Sequence, residues 1–138
     1  MKELRRKAEQ AHRAVIEEED RQRDAYNDAL SHLHELVTAR LTGGRWVVSE
    51  RSRKHTAIIG ARPDWVSGET LVVQFHHAEA DTPDLYEDLC GVSVEVIEVA
   101  TGHAIRFNHA PHADVLMAVV DAVVARTPGA PKGRNPGA

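Results

Sequence analysis

The stretch LHELVTARLTGGRWVVSE, Leu33 to Glu50, changes its repeat halfway along. Before the glycine pair, Leu33 and Val37 continue a spacing of four, three and four that begins at Tyr26 and Leu30. That is the repeat of one helix face. After Gly44, from Arg45 to Glu50, the sequence reads as a strand. Gly43-Gly44 therefore ends a helix and opens a sheet, as glycine at a helix C-terminus does.

Upstream, Lys2 to Leu41 contains no glycine and no proline and is rich in Ala, Glu, Arg, Leu and Gln. These residues favour a helix, here ~40 residues and ~60 Å long. A second apolar run, Leu4, Ala8, Ala11 and Val15, has the same spacing. Between the runs, Glu17 to Asp24 is polar, and Glu17–Arg21 and Glu19–Arg23 stand in the favourable i,i+4 order. The expectation is a helix with two apolar ends and a solvated middle. The end from Tyr26 to Leu41 packs on the domain, and the other end projects or forms a coiled coil with a second copy. Leu4, Ala8, Val15, Tyr26, Leu30, Leu33 and Val37 are the candidate oligomer interface.

Downstream, His55 to Ala61 and Thr70 to His77 read as further strands, with Leu71, Val73 and Phe75 facing the core. Glu50 to Lys54 and Arg62 to Glu69 are the expected turns. Asp81-Thr82-Pro83 signals the start of a short helix through Leu85 and Leu89, ended by Gly91. Val92 to Val99 and His103 to Asn108 form a hairpin around Ala100-Thr101-Gly102. Pro111 opens a last helix whose apolar face is Leu116, Val119, Val120, Val123 and Val124. The expected fold is α+β: a long N-terminal helix, an antiparallel sheet of about five strands with a short helix between strands three and four, and a C-terminal helix packed on the sheet. Residues 1–42 are the association arm, 43–126 the sheet domain, and 127–138 a disordered tail rich in proline and glycine.

A chain of 138 residues with 42% apolar content can build one core, and its 4% aromatic content leaves the packing to Val, Ile, Leu and Ala. The formal charge of −4 supplies no general attraction to nucleic acid or anionic membrane. The one cysteine, Cys90, permits neither an intramolecular disulfide nor a Cys-based zinc site, and its expected role is that of a small buried apolar residue. No apolar stretch of signal-peptide or membrane-spanning type is present, so the expected location is the cytoplasm.

Nine histidines are many for this length. His76, His77, His103, His109 and His112 are the candidate metal ligands or general bases, should the strand ends that carry them converge. No cofactor is implied beyond such a metal. Against convergence, His76 and His77 point to opposite faces of a strand, and no recognised ligand spacing occurs. No serine sits in a nucleophile elbow, and no glycine-rich phosphate loop is found. Trp46, Arg51, Arg53 and Trp65, with Arg106, form a candidate site for a compact anionic ligand, with Arg45, Lys54 and Arg62 nearby. The expectation is a non-catalytic binding or adaptor protein. It self-associates through its helix and either sequesters a small anionic ligand or holds a protein partner. A histidine- or metal-dependent enzyme is one alternative, and a nucleic-acid binder using the basic first hairpin is the other.

Overall fold

The computed structural model describes residues 2–77 and 93–129, apart from the side chain of Glu19. The elements are α1 (Lys2–Gly43), β1 (Trp46–Arg53), β2 (Thr56–Pro63), β3 (Leu71–His76), β4 (Ser93–Glu98), β5 (His103–Asn108) and α2 (Ala113–Arg126). The strands lie in chain order β1-β2-β3-β4-β5. Each is antiparallel to the next. The expected α+β architecture is present. The expected short helix through Leu85 and Leu89, and residues 130–138 of the tail, lie outside the described residues.

Alternation sorts the strands into two faces. In register across the sheet, Ala57, Phe75, Val94 and Phe107 form one row, and Ile59, Val73, Val96 and Ile105 the next. These rows are the inner face. The C-terminal half of α1 covers them with Leu30, Leu33, Val37 and Leu41, and α2 with Leu116, Val120 and Val123. Leu30, Val37, Ile59, Val73 and Phe75 have no exposed surface. Burying a side chain of this size contributes ~1.5–3 kcal/mol.

Charged groups fasten the helices to each other and to the sheet. Arg40 of α1 donates to both carboxylate oxygens of Asp121 in α2, at 3.0 and 2.8 Å. Thr38 Oγ1 donates to Glu50 Oε1 of β1 at 3.2 Å. Arg126 of α2 donates to Glu98 Oε2 of β4 at 2.9 Å. Thr101 Oγ1 donates to Glu98 Oε1 at 2.8 Å. The Thr101 bond and then the Arg126 bond hold the Glu98 carboxyl below the ordinary carboxylate range.

Four local features differ from the sequence reading. First, β1 runs past Glu50 to Arg53, and the turn is Lys54-His55, with Lys54 at φ 54°. Charged side chains at a sheet edge stay in water and do not stop a strand. Second, Gly44 N donates to Arg40 O at 3.1 Å, but the left-handed residue after α1 is Arg45, at φ 66°. Third, α2 starts at Ala113 with His112 as its N-cap, its side chain accepting from Asp114 N at 3.2 Å. Fourth, Arg21 hydrogen-bonds Glu18 at i,i+3, 2.6 Å away, where the expected partner was Glu17, and Arg23 pairs with Asp20 at 2.8 Å, while the expected Glu19–Arg23 pair falls on a side chain outside the described ones. The two spacings are equally adjacent on a helix surface, so sequence alone does not choose between them.

Leu33→Ala is expected to lower unfolding stability by ~2–5 kcal/mol in a urea titration, because it opens a cavity between α1 and the sheet. Leu4→Ala in the exposed half of the same helix is expected to change it by under ~0.5 kcal/mol.

Candidate functional surfaces

The first surface is the outer face of the sheet, on the side opposite the core. Its central row runs Arg51, Ile58, Gln74, Glu95 and Arg106, one residue from each strand. Arg51 Nη2 donates to Glu69 Oε2 at 3.0 Å, and Nη1 to Oε1 of the same carboxylate. This pairing keeps Glu69 ionised to lower pH than an ordinary glutamate, against a smaller opposing effect of burial. The bridge passes directly over Gly60, where a Cβ would collide with the Glu69 carboxylate and the Arg51 guanidinium. Gly60 is therefore needed for space and not for its backbone angles. At the far edge, Arg106 lies opposite Glu95.

At one end of this face, Thr56, His76, Ser93 and Asn108 form a second row. Thr56 Oγ1 and His76 Nδ1 are 2.9 Å apart. Ser93 Oγ is buried and has no hydrogen-bond partner among the described residues. Burial of His76 is the main cause that lowers its pKa. Glu95 opposes this, and Arg106 and His77 add to it.

The five candidate histidines are spread over the fold. His76 is on the outer face at one end of the sheet, and His77 follows it, its Nδ1 3.2 Å from Phe75 O. His103 opens β5 opposite Glu98, at the other end. His109, at φ 62°, stacks at a tilt on Tyr26 of α1, with ring centroids 5.6 Å apart. His112 caps α2. Among the described residues, no three His, Cys, Asp or Glu side chains lie together as a metal-binding group. Cys90 lies outside the described residues.

The five candidate ligand residues are likewise divided. Arg51 and Arg106 share a row but stand on the two edge strands, four strand spacings or ~19 Å apart. Arg53 is exposed near the β1–β2 turn. Register puts Trp46 on the inner face, opposite Pro63. Trp65 is half-buried in the connection between β2 and β3. Trp46 instead belongs to an apolar cleft between the end of α1 and α2, with Leu36, Leu41, Met117 and Val124. The Arg40–Asp121 pair lies at this cleft.

Two further surfaces are apolar and open. Every described side chain from Lys2 to Gln22 is exposed, including Leu4 at 70% and Val15 at 54%. Of the candidate interface residues, Leu30, Leu33 and Val37 are buried within the chain's own core and Tyr26 is half-buried, whereas Leu4, Ala8 and Val15 are exposed. The other surface is a groove between α2 and β5, with Ile105, Val115, Ala118 and Ala122 in its wall. The sequence reading missed this groove. Its signal was that Val115, Ala118 and Ala122 extend the apolar content of α2 beyond one stripe.

No protein-family model matches the chain, and neither a curated protein nor a solved structure matches it. Among the described residues, no helix is long and apolar enough to cross a membrane.

Because burial in the fold lowers the pKa of His76, protonation favours the unfolded chain. Its contribution to stability is full above the ordinary histidine value of 6.5 and is lost as the pH falls below it. In thermal melts through that range, His76→Gln is expected to have a flatter pH dependence than the wild type. Gly60→Ala is expected to lower the melting temperature, since the Arg51–Glu69 bridge must move aside. Gly60→Ala combined with Glu69→Ala is expected to recover part of that loss.

Proposed function

We propose that this chain is a non-catalytic binding or adaptor protein that self-associates through the first half of α1 and holds a protein partner on its sheet domain. The observation that carries the reading is the fully exposed helical arm from Lys2 to Gln22. An isolated helical segment gains little without packing, so an apolar stripe on such an arm points to association. Residues 2–13 carry five cationic and two acidic side chains, and residues 17–28 carry six acidic and two cationic. Two arms running antiparallel set the basic block of each against the acidic block of the other, whereas a parallel pair opposes like charges. Leu4, Ala8 and Val15 line the contact in this arrangement.

A protein partner is favoured over sequestration of a small anionic ligand. Trp46, Arg51, Arg53, Trp65 and Arg106 do not converge, and Arg51 is already paired with Glu69. The Trp46 cleft instead offers an apolar seat for a partner's side chain. A single cysteine suits work in the reducing cytoplasm.

Light scattering over a concentration series tests the arm. Leu4→Glu with Val15→Glu is expected to reduce the assembly by one association step while leaving the circular dichroism melt unchanged. An unchanged mass removes the arm from the interface.

A further inference from the structure

We infer that the open face of α2, together with β5, is a second interface, and that its occupant is another copy of this chain related by a two-fold axis. The argument starts from which residues of α2 point outward. Asp114, Val115, Ala118, Ala122, Ala125 and Arg126 are exposed, while Leu116, Val120 and Val123 are buried against the sheet. Reversing α2 about the level of Val120 exchanges Asp114 with Arg126, Val115 with Ala125, and Ala118 with Ala122. Each exposed residue lands on another member of the same set. A surface that pairs with itself across a two-fold axis must have this property, because residue i meets j and j meets i.

The chemistry follows the same symmetry. Both ends of the groove gain an opposite-charge pair, Asp114 of one copy with Arg126 of the other. The Asp114 side chain is 94% exposed. Arg126 uses its Nε on Glu98, and its side chain is 57% exposed, so its remaining N–H groups can reach a partner's carboxylate. At the centre, Ala118 and Ala122 let two helices approach closely. Ile105, 48% exposed although its strand position faces inward, lines the groove beside them. β5 is an edge of the sheet, with no described strand on its outer side. In a two-fold pair its edge meets the partner's β5 in antiparallel sense, the sense already used throughout this sheet. A parallel pairing of the two α2 helices would bring Asp114 against Asp114 and Arg126 against Arg126.

This interface is separate from the arm, so each copy would have two partner-binding faces and the wild type would assemble beyond a dimer. Native mass spectrometry and light scattering of four full-length proteins test it: wild type, Leu4→Glu with Val15→Glu, Ala122→Arg, and all three changes together. Ala122→Arg places a long charged side chain against Ala118 of the other copy, on an exposed helix position beside the axis, and circular dichroism verifies that the fold persists. The expected masses are larger than a dimer, dimer, dimer and monomer. The inference is overturned if Ala122→Arg leaves the mass of the wild type unchanged, or if the arm variant is already a monomer. Failure of the arm alone reads differently: the arm variant matches the wild type while Ala122→Arg lowers the mass. As a second probe, Asp114→Arg in the arm-variant background is expected to weaken the remaining dimer by about tenfold or more, since it turns both end pairs into like-charge contacts. Equal dissociation constants for that protein and its parent would refute the antiparallel register.

Discussion

The structure depends on one burial: Leu30, Leu33, Val37 and Leu41 of α1 against the inner face of the sheet. A five-stranded meander has one face that alternation makes apolar, and that face needs a cover. α2 has only 14 residues and lies against the β4 side. The β1–β2 side is left to α1. The same burial gives α1 its stability as a helix, since helices in water draw most of theirs from tertiary packing. The exposed half then extends from a helix that is already formed, and its propagation is inexpensive because nucleation is behind it.

The charged groups divide by task. Arg40–Asp121 and Arg126–Glu98 tie a helix to a helix and a helix to a strand, with Glu98 mostly buried. Arg51–Glu69 lies on the outer face and closes over Gly60. The exposed pairs, Arg40–Asp121 and Arg51–Glu69, contribute ~0–1 kcal/mol each, so their role is more in fixing orientation than in stability. On the outer face Glu69 pairs with Arg51 and Glu95 lies opposite Arg106, while Arg53 and Arg62 add positive charge.

The sequence carried the fold because two periods, near four and near two, meet at Gly43-Gly44. Leu71, Val73 and Phe75 were legible as core since alternation leaves one assignment that buries all three. Boundaries were less legible. Glu50 to Lys54 looked like a turn because it is charged, yet an edge strand exposed to water accepts charge without ending. His112 as a cap was hidden because imidazole is not among the usual capping side chains. The candidate sites were legible only as residue types. Arg51 and Arg106 fall in one row, but whether two residues in a row are neighbours depends on strand order, which a single sequence does not specify. The partner of Arg51, Glu69, lies 18 positions away in the connection before β3, and no local rule connects the two. The α2 groove went unseen for another reason. Alanine and valine on a helix read as helix formers or core, and only the packed structure reveals which of them face water.

A helix of 42 residues packed along one half only is also a cantilever. The held part, from Arg23 to Gly43, and the free part, from Lys2 to Gln22, are each ~30 Å long. Because Leu30, Leu33, Val37 and Leu41 are buried against the sheet, the held part resists pivoting, and a sideways load at Lys2 is borne as bending near Arg23, where the packing begins. Arg40 and the Trp46 cleft lie at the other end of the packed part, away from that bend.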